Sequence, residues 1–302
     1  MKWISHILWL FWVLGSGSFA GEPATPLTPE RILPVDGPAN RQPSGLTIWQ
    51  DTLFTVSDRH PNTVFRLEIR EESAAMIPYR NFPVTETFGN DWLDFEGITC
   101  DSAGNFYIVS EMHSRILRVA HDGQSSGWIT PDLKPYGEAE GLFQVLNAYF
   151  EGITLLAPGH FLLCAERQPR GLMEVRLSDD KLTVNATQFE HSQFTFPEGV
   201  SLDFAGLYTD RDTVYVLERN AYLVARLVRD AAGAFQEGPG WSFRHIALDP
   251  RYRYRDMQYG HAEGLCLDRR LVYVIFDNNG DFREQSPGDN RPLLLILHRP
   301  GF

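Results

Sequence analysis

The feature that most constrains this 302-residue chain is an internal repeat of about 54 residues. Each copy contains a short apolar segment with a glycine, a tight polar turn and a second apolar segment. Further apolar segments follow in most copies, so each repeat predicts four short strands, which is typical of one blade of a β-propeller. The repeat glycines are separated by 52, 55, 54 and 58 residues and are Gly45, Gly97, Gly152, Gly206 and Gly264.

The predicted fold is an all-β, five-bladed β-propeller with four-stranded blades. A six-bladed ring is the alternative, because Glu138–Leu142 imitates a repeat start. The last repeat ends before its fourth strand. We expect Arg31–Val35 to supply that strand and close the ring, since closure removes exposed sheet edges. The other fourth strands are predicted near Ala75–Ile77, Gly127–Ile129, Leu182–Asn185 and Phe243–Ile246.

The N-terminus has the pattern of a secretory signal peptide over residues 1–20. Lys2 precedes an apolar run from Ile4 to Leu14, and small residues surround Ala20. The run is too short for a comfortable membrane span. We therefore expect residues 21–302 to form a single periplasmic or secreted propeller domain without a transmembrane span. An uncleaved N-terminal anchor is the alternative.

Charge and cysteine content narrow the classes of partner. Lys and Arg number 27 against 39 Asp and Glu, a formal net charge of −12. This acidity argues against a nucleic-acid partner, and it fits carboxylates gathered around a cation. We expect a monomer.

The three cysteines, Cys100, Cys164 and Cys266, lie in apolar segments and predict buried free thiols, with one disulfide and one thiol as the alternative.

The residue before each repeat glycine is expected at one end of the central channel, because the innermost strand of each blade lines it. Three of these residues are glutamates, and converging carboxylates raise one another's pKa unless a cation joins them. Oxygen ligands around an axis suit Ca²⁺. The sequence therefore predicts Ca²⁺ in the channel; salt bridges by the same glutamates are the alternative. The predicted ligands are Ser44, Glu96, Glu151 and Glu263, and the fourth repeat has Ala205 at this position.

A second set of charged residues lies where the second strands end, beside the same end of the channel. We expect it to face a ligand, and a small anionic one is possible; the arginines in it are expected to pair with the acids. The set comprises Asp58, Arg59, Glu111, Glu166, Arg167, Glu218, Arg219 and Asp277. The loop Asp249–Asp256 interleaves Tyr and Arg and either contacts that ligand or is solvated.

The repeat resembles a known family. Asp94–Ile98 together with Ile108–Glu111 is similar to the repeat of the phytase-like esterase family and of the related SdiA-regulated family, and the resemblance extends from about Arg31 to Leu297. The order of the residues before the glycines also resembles the ligand order of the calcium-dependent apyrases. That resemblance implies Ca²⁺ in the channel, and Ala205 departs from it.

Two functions are consistent with these features. The first is a propeller that holds calcium and binds a ligand or partner at the face of the acidic residues. The alternative is a calcium-dependent hydrolase of phosphate or other esters, with an acid such as Glu111 or Glu166 as general base. The sequence contains no lipase-type nucleophile motif, zinc-protease motif or phosphate loop, so it assigns no catalytic nucleophile.

Overall fold

The computed structural model describes residues 24–178, 181–257 and 261–300. The predicted signal peptide lies outside these residues. No helix in the described part of the chain is long and apolar enough to cross a membrane. Two strands precede the first repeat: β1 (Thr25–Pro26) and β2 (Pro29–Asp36).

Five units of antiparallel strands follow in chain order, and two short helices lie in the connections between them. The first two units are β3 (Pro43–Trp49), β4 (Thr52–Ser57), β5 (Thr63–Ile69), β6 (Ala74–Asn81); and β7 (Phe95–Cys100), β8 (Phe106–Ser110), β9 (Arg115–Val119), β10 (Ser126–Trp128). Helix α1 (Lys134–Ala139) precedes the third unit. The third and fourth units are β11 (Phe150–Ala157), β12 (His160–Ala165), β13 (Arg170–Ser178), β14 (Lys181–Phe189); and β15 (Phe204–Asp210), β16 (Thr213–Glu218), β17 (Leu223–Arg229), β18 (Phe235–Ser242). Helix α2 (Arg244–Ala247) precedes the fifth unit, which is β19 (Ala262–Leu267), β20 (Leu271–Phe276), β21 (Leu293–His298).

The N-terminal strand β2 completes the fifth unit, as the sequence predicted. It pairs antiparallel with β21, where Ile32 lies opposite Leu295. Its last residues pair in parallel with β6, where Val35 lies opposite Ala74. The fifth and first units therefore share one eight-stranded sheet, in the order β19-β20-β21-β2-β6-β5-β4-β3. Strand β2 thus joins the fifth and first units, and the edge of β21 is covered.

The innermost strands β3, β7, β11, β15 and β19 form a closed series in which each lies beside the next and β19 lies beside β3. The repeat glycines make this approach possible. A Cβ atom on Gly97 would lie 2.8 Å from the Cα atom of Gly152, and one on Gly264 would lie 2.7 Å from the carbonyl carbon of Gly45. Only glycine leaves room for neighbouring backbones at such distances.

Aromatic and aliphatic side chains fill the space between neighbouring units. Phe54 of β4 packs against Phe106 of β8 with ring centroids 5.1 Å apart, so the first and second units share one core cluster. Leu162 of β12 and Phe204 of β15 belong to the cluster between the third and fourth units. The strand order, the closed inner series and these layers confirm the β-propeller. The blade count stays a prediction, and the closure over five glycines favours five.

One predicted strand is wrong. The segment Phe243–Ile246 was expected to be the fourth strand of the fourth unit, but α2 begins there and the strand is β18. The sequence Gly238-Pro239-Gly240 is typical of a turn, so the sequence pattern did not indicate strand β18 there. In the fold these glycines allow close packing instead, because a Cβ atom on Gly240 would lie 2.4 Å from the Phe194 ring.

Candidate functional site

The inner strands all begin at the same end of the channel, which we call the mouth. The residues before the repeat glycines lie there, as a consequence of the strand directions. Ser44 and Glu151 are buried, whereas Glu96 and Glu263 are half-buried. The fourth unit contributes only the small, buried Ala205.

A second ring surrounds the first and consists of the residue that follows each second strand. In four units the backbone N–H of this residue donates to the carbonyl oxygen three residues before the repeat glycine. The distances from the backbone nitrogen to the backbone carbonyl oxygen are 2.8 Å for Glu111 to Asp94, 2.9 Å for Glu166 to Tyr149, 2.9 Å for Arg219 to Asp203 and 2.8 Å for Asp277 to His261. Asp58 follows β4 at the same place in the first unit.

The fourth member of this ring is therefore Arg219, not Glu218 as the sequence pattern indicated. Glu218 is still paired within β16, opposite Phe204. Its Oε1 atom accepts a hydrogen bond from the backbone N–H of Asp203, and its Oε2 atom accepts one from Arg170 Nη1 at 2.7 Å. Both side chains of the ion pair with Arg170 are almost wholly buried. Glu218 is thus a buried ion-pair residue that joins the third and fourth units.

Arg219 was expected to pair with the outer acids, but it lies among carboxylates of both rings. Its Nη1 atom donates to both carboxylate oxygens of Glu263 at 2.8 Å. Its Nη2 atom donates to Asp203 at 2.9 Å and to Glu166, and lies 3.6 Å from Glu151 Oε1. Because residue 205 is an alanine, the inner ring has no acidic side chain in the fourth unit. One guanidinium group therefore faces carboxylates of the third, fourth and fifth units and partly offsets their charge.

The second-unit side of the mouth has no such neutralisation. Carboxylate oxygens of Asp94, Glu96 and Glu111 lie within 4.8 Å of one another. Carboxylate oxygens of Glu111, Glu151 and Glu166 are equally close to one another, but Arg219 bonds to Glu166 and lies 3.6 Å from Glu151. Glu96 has no hydrogen-bond or ion-pair partner in the described part of the chain, and the carboxyl groups of Asp94 and Glu111 share a hydrogen bond.

The pKa shifts follow from this crowding. Burial raises the pKa of Glu111 to about 8, and the carboxylate of Glu151 adds to the rise. Burial raises the pKa of Glu151 to about 7 even though Arg219 opposes it. Burial and the charge of Glu151 hold the pKa of Glu96 well above its usual range. In the absence of a cation, these groups retain protons to relieve their repulsion.

These residues fit a hard divalent cation. Asp94, Glu96, Glu111 and Glu151 supply only oxygen donors, which Ca²⁺ prefers, and among the described residues no guanidinium group is bonded to Asp94, Glu96 or Glu111. Two predicted ligands lie elsewhere around the mouth. Glu263 is bonded to Arg219, and Ser44 lies in the first unit. The residues that best suit a cation are thus displaced from the axis towards the second unit.

Asp58 and Arg59 lie beside this cluster. Arg59 Nε is 3.0 Å from Asp58 Oδ2, whereas Asp58 Oδ1 is buried without a hydrogen-bond partner among the described residues. Burial raises the pKa of Asp58 to about 6, against the opposing charge of Arg59. Arg167 is paired with Glu166. Burial raises the pKa of Asp277 to about 7.

The loop Asp249–Asp256 is held against the fifth unit. Its arginines form ion pairs, Arg251 with Asp249 and Arg253 with Glu284. Tyr254 is buried and donates a hydrogen bond to the carbonyl oxygen of Arg291 at 2.8 Å. A cavity of about 400 Å³ lies at the end of the molecule opposite the mouth, between the third and fourth units, and no carboxylate of the mouth lines it.

Sequence reasoning did not assign roles to Asp94 and Asp203. Both precede a repeat glycine by three residues, in Asp94-Phe-Glu-Gly and Asp203-Phe-Ala-Gly. That shared position was the available signal. The repeat glycine draws attention to the residue next to it, whereas the residue three positions earlier is acidic in only two of the five units.

The sequence matches the phytase-like family, described as "Esterase-like activity of phytase", over residues 42–280. No curated protein sequence matches the chain. Among solved structures, glutaminyl cyclase of Myxococcus xanthus has a TM-score of 0.56 at 12% identity, covering 91% of this chain and 97% of that one. This likeness supports the propeller fold alone.

Two further solved structures are similar at lower scores. The PQQ-bound aldose sugar dehydrogenase of Streptomyces coelicolor has a TM-score of 0.48 at 12% identity, covering 93% of this chain and 100% of that one. Virginiamycin B lyase of Staphylococcus aureus has a TM-score of 0.44 at 10% identity, covering 89% and 99%. The likeness to apyrases is not supported by these matches.

Proposed function

We propose, because this chain belongs to the phytase-like family, that it is a hydrolase of phosphate or other esters with its active site at the channel mouth. The observation that carries the proposal is the group formed by Asp94, Glu96 and Glu111. Their oxygens lie within 4.8 Å of one another, and no arginine of the part of the chain that the structure describes bonds to them. Such a group suits a cation at a place where a ligand entering the mouth can reach it.

We propose Ca²⁺ as that cation, with Asp94, Glu96 and Glu111 as ligands and Glu151 beside them. When bound, the ion would polarise the ester and lower the pKa of water. The protein itself holds these carboxylates close together. Elsewhere around the mouth, Arg219 bonds to carboxylates such as Glu263 and Asp203, so those groups are already paired.

Asp58 is the best-placed general base. It lies close enough to Asp94 for their charges to interact, and its pKa of about 6 leaves it ionised at neutral pH but still able to accept a proton. In the proposed step, water oxygen bonds to the acyl carbon or phosphorus, and the bond from that atom to the alcohol oxygen breaks. The proton that Asp58 removes from water passes to the departing alcohol.

The test measures hydrolysis of p-nitrophenyl acetate and p-nitrophenyl phosphate with Ca²⁺ and with a chelator. Glu96→Gln should abolish the response to Ca²⁺. Asp58→Asn should lower kcat by about 100-fold or more and preserve stabilisation by Ca²⁺. Glu68→Gln, an exposed acid of β5, is the control and should behave as wild type. Activity that is indifferent to Ca²⁺ and to both variants would refute the assignment.

A second function deserves its own test, because exposed apolar side chains such as Trp92 surround the mouth. In this alternative the cation is structural, and the mouth binds a ligand or partner without hydrolysis. Stabilisation by Ca²⁺, abolished in Glu96→Gln, combined with no turnover of any ester would favour it over the hydrolase.

We further propose that the protein is exported and cleaved near Ala20, based on the charged and apolar N-terminal pattern. Mass spectrometry of the exported protein should show an N-terminus near Gly21. Recovery of an intact Met1 from that fraction would contradict this proposal.

A further inference from the structure

The large apolar side chains that remain exposed are concentrated at one end of the molecule. Loops that enter an inner strand or leave a second strand lie at the mouth. Ile69, at the end of β5, is exposed at the opposite end. The exposed apolar residues in mouth loops, which we call the mouth rim, are Phe88, Trp92, Met112, Tyr136, Leu146 and Phe282. A patch of this kind, bordered by charged groups, is typical of a binding surface.

Two rim residues lie in the loop that leads into β7 and therefore into the proposed active site. Trp92 is 48% exposed and precedes Asp94 by two residues. The guanidinium group of Arg59 lies 5.8 Å from its ring centroid, and Arg59 in turn pairs with Asp58. Trp92 is thus connected to the proposed general base through a single side chain.

Phe88 is held at the other end of the same loop. Arg115 lies over its ring at 3.9 Å from the centroid, so the ring is fixed although it is 44% exposed. Beneath it, His113 contacts Phe88 and Trp128 through its ring at 5.6 and 5.5 Å. His113 is 8% exposed, and its Nε2 atom has no hydrogen-bond partner in the described part of the chain. A buried polar atom left unpaired is costly, so this nitrogen is available to a polar atom of a ligand.

The charges of the mouth determine which ligand suits this rim. Three arginines near the site are paired with carboxylates: Arg59 with Asp58, Arg167 with Glu166, and Arg219 with several acids. A fourth, Arg115, lies over the Phe88 ring and donates to the carbonyl oxygen of Thr130. Carboxylates outnumber these arginines, and one divalent cation does not offset the difference. A polyanionic ligand would therefore meet like charge on entering the mouth, whereas an uncharged one would not.

We infer that the mouth rim binds the aryl or acyl group of an uncharged ester, with Trp92 and Phe88 as the main contacts. The inference rests on the proposed hydrolase and specifies its substrate class. An apolar group on the rim places the ester beside Asp58 and the cation ligands. Compact polyanions such as inositol phosphates are disfavoured, because they offer no apolar group and carry the wrong charge.

The test compares p-nitrophenyl hexanoate, p-nitrophenyl acetate and inositol hexakisphosphate as substrates. Wild type should have the highest kcat/KM for the hexanoate, and Trp92→Ala and Phe88→Ala should each lower that value by about tenfold, mainly through KM. Ile69→Ala, which removes an exposed apolar side chain from the opposite end, is the matched control and should have no effect. Preference for the hexakisphosphate, or equal behaviour of Trp92→Ala and Ile69→Ala, would overturn the inference.

A binding measurement separates failure of the inference from failure of the proposed function. The neutral fluorescent probe N-phenyl-1-naphthylamine should bind wild type and Ile69→Ala about fivefold or more tightly than Trp92→Ala. If no ester is hydrolysed but this difference is found, the hydrolase proposal fails and the apolar site stands. If all three proteins bind the probe equally, the rim is not a site for an apolar group, whatever the activity.

Discussion

At the scale of single residues, the main finding is that an arginine replaces an acid in one of five equivalent positions. Arg219 follows β16 as Glu166 follows β12, yet its guanidinium group bonds to Glu263, Asp203 and Glu166. This single cation distinguishes the side of the mouth that Arg219 contacts from the side of Asp94, Glu96 and Glu111. The second of these sides is where we propose the metal ion.

Arg219→Met should leave these buried carboxylates unpaired and lower the free energy of unfolding by about 3–5 kcal/mol. Urea denaturation measures the loss, and added Ca²⁺ should recover part of it. Arg253→Met breaks an exposed pair with Glu284 and should cost less than about 1 kcal/mol. Equal losses in the two variants would show that Arg219 does not neutralise the mouth.

The raised pKa values predict how pH affects cation binding. Glu111 and Glu151 hold protons with pKa values of about 8 and 7 in the folded protein, well above an unfolded carboxyl. Without a cation, stability is therefore greatest near pH 5 and falls as pH rises through 7 and 8. Since Ca²⁺ displaces these protons, its affinity should rise about tenfold or more from pH 6 to pH 8. Calorimetry that shows no pH dependence would contradict these shifts.

The sequence predicted both acidic rings from repeated positions, but it could not predict the fourth outer member. Glu218 and Arg219 are adjacent, and the apolar run of β16 does not show which of them follows the strand. The pairing of Glu218 with Phe204 decides this, and it is a property of the folded sheet. A shift of one residue in a strand reverses the side to which each residue points.

At the scale of strands, the repeat glycines allow five inner strands to meet around the channel. A Cβ atom on Gly97 would lie 2.7 Å from the backbone nitrogen of Ile153 and 2.8 Å from Gly152 Cα. Backbone atoms of a neighbouring strand cannot move aside as a flexible side chain can. The acids next to these glycines are therefore brought close together by the same feature that closes the ring.

Gly97→Ala should consequently destabilise the protein by about 3 kcal/mol or more, as measured by thermal or urea unfolding. Gly127 in the outer strand β10 is the matched control, because a Cβ atom there would meet nothing within 4 Å. Gly127→Ala should change stability by less than about 0.5 kcal/mol. If both variants unfold alike, the close approach of the inner strands is incorrect.

At the scale of the whole molecule, the fold could be predicted because the repeat and the missing last strand are both visible in the sequence. The closure by β2 followed from counting strands. Strand β18 was missed because its glycines fit a turn as well as they fit a crowded strand, and only packing against Phe194 distinguishes the two. The position of the proposed cation site could not be predicted, since it depends on which carboxylates the Arg219 side chain reaches in the folded protein.

Deleting residues 21–36 should remove the strand that joins the fifth and first units, together with the buried Leu33 and Val35. We expect the Tm to fall by about 10 °C or more. A shorter truncation of residues 21–24, which keeps β1 and β2, should melt like the full domain. The ring closure would be contradicted if the longer deletion melted at the same temperature as the shorter one.

The most direct test of a calcium ion at the acidic side of the mouth is the Tm of the purified protein with Ca²⁺ and with a chelator, at a pH near 7.5. A ligand at a hundredfold excess over its Kd stabilises the fold by about 2.7 kcal/mol, which corresponds to a rise of roughly 5 °C or more. We expect this rise in wild type and in Glu68→Gln, and its loss in Glu96→Gln. An unchanged Tm in wild type, with no metal found by elemental analysis, would show that protons alone neutralise these carboxylates.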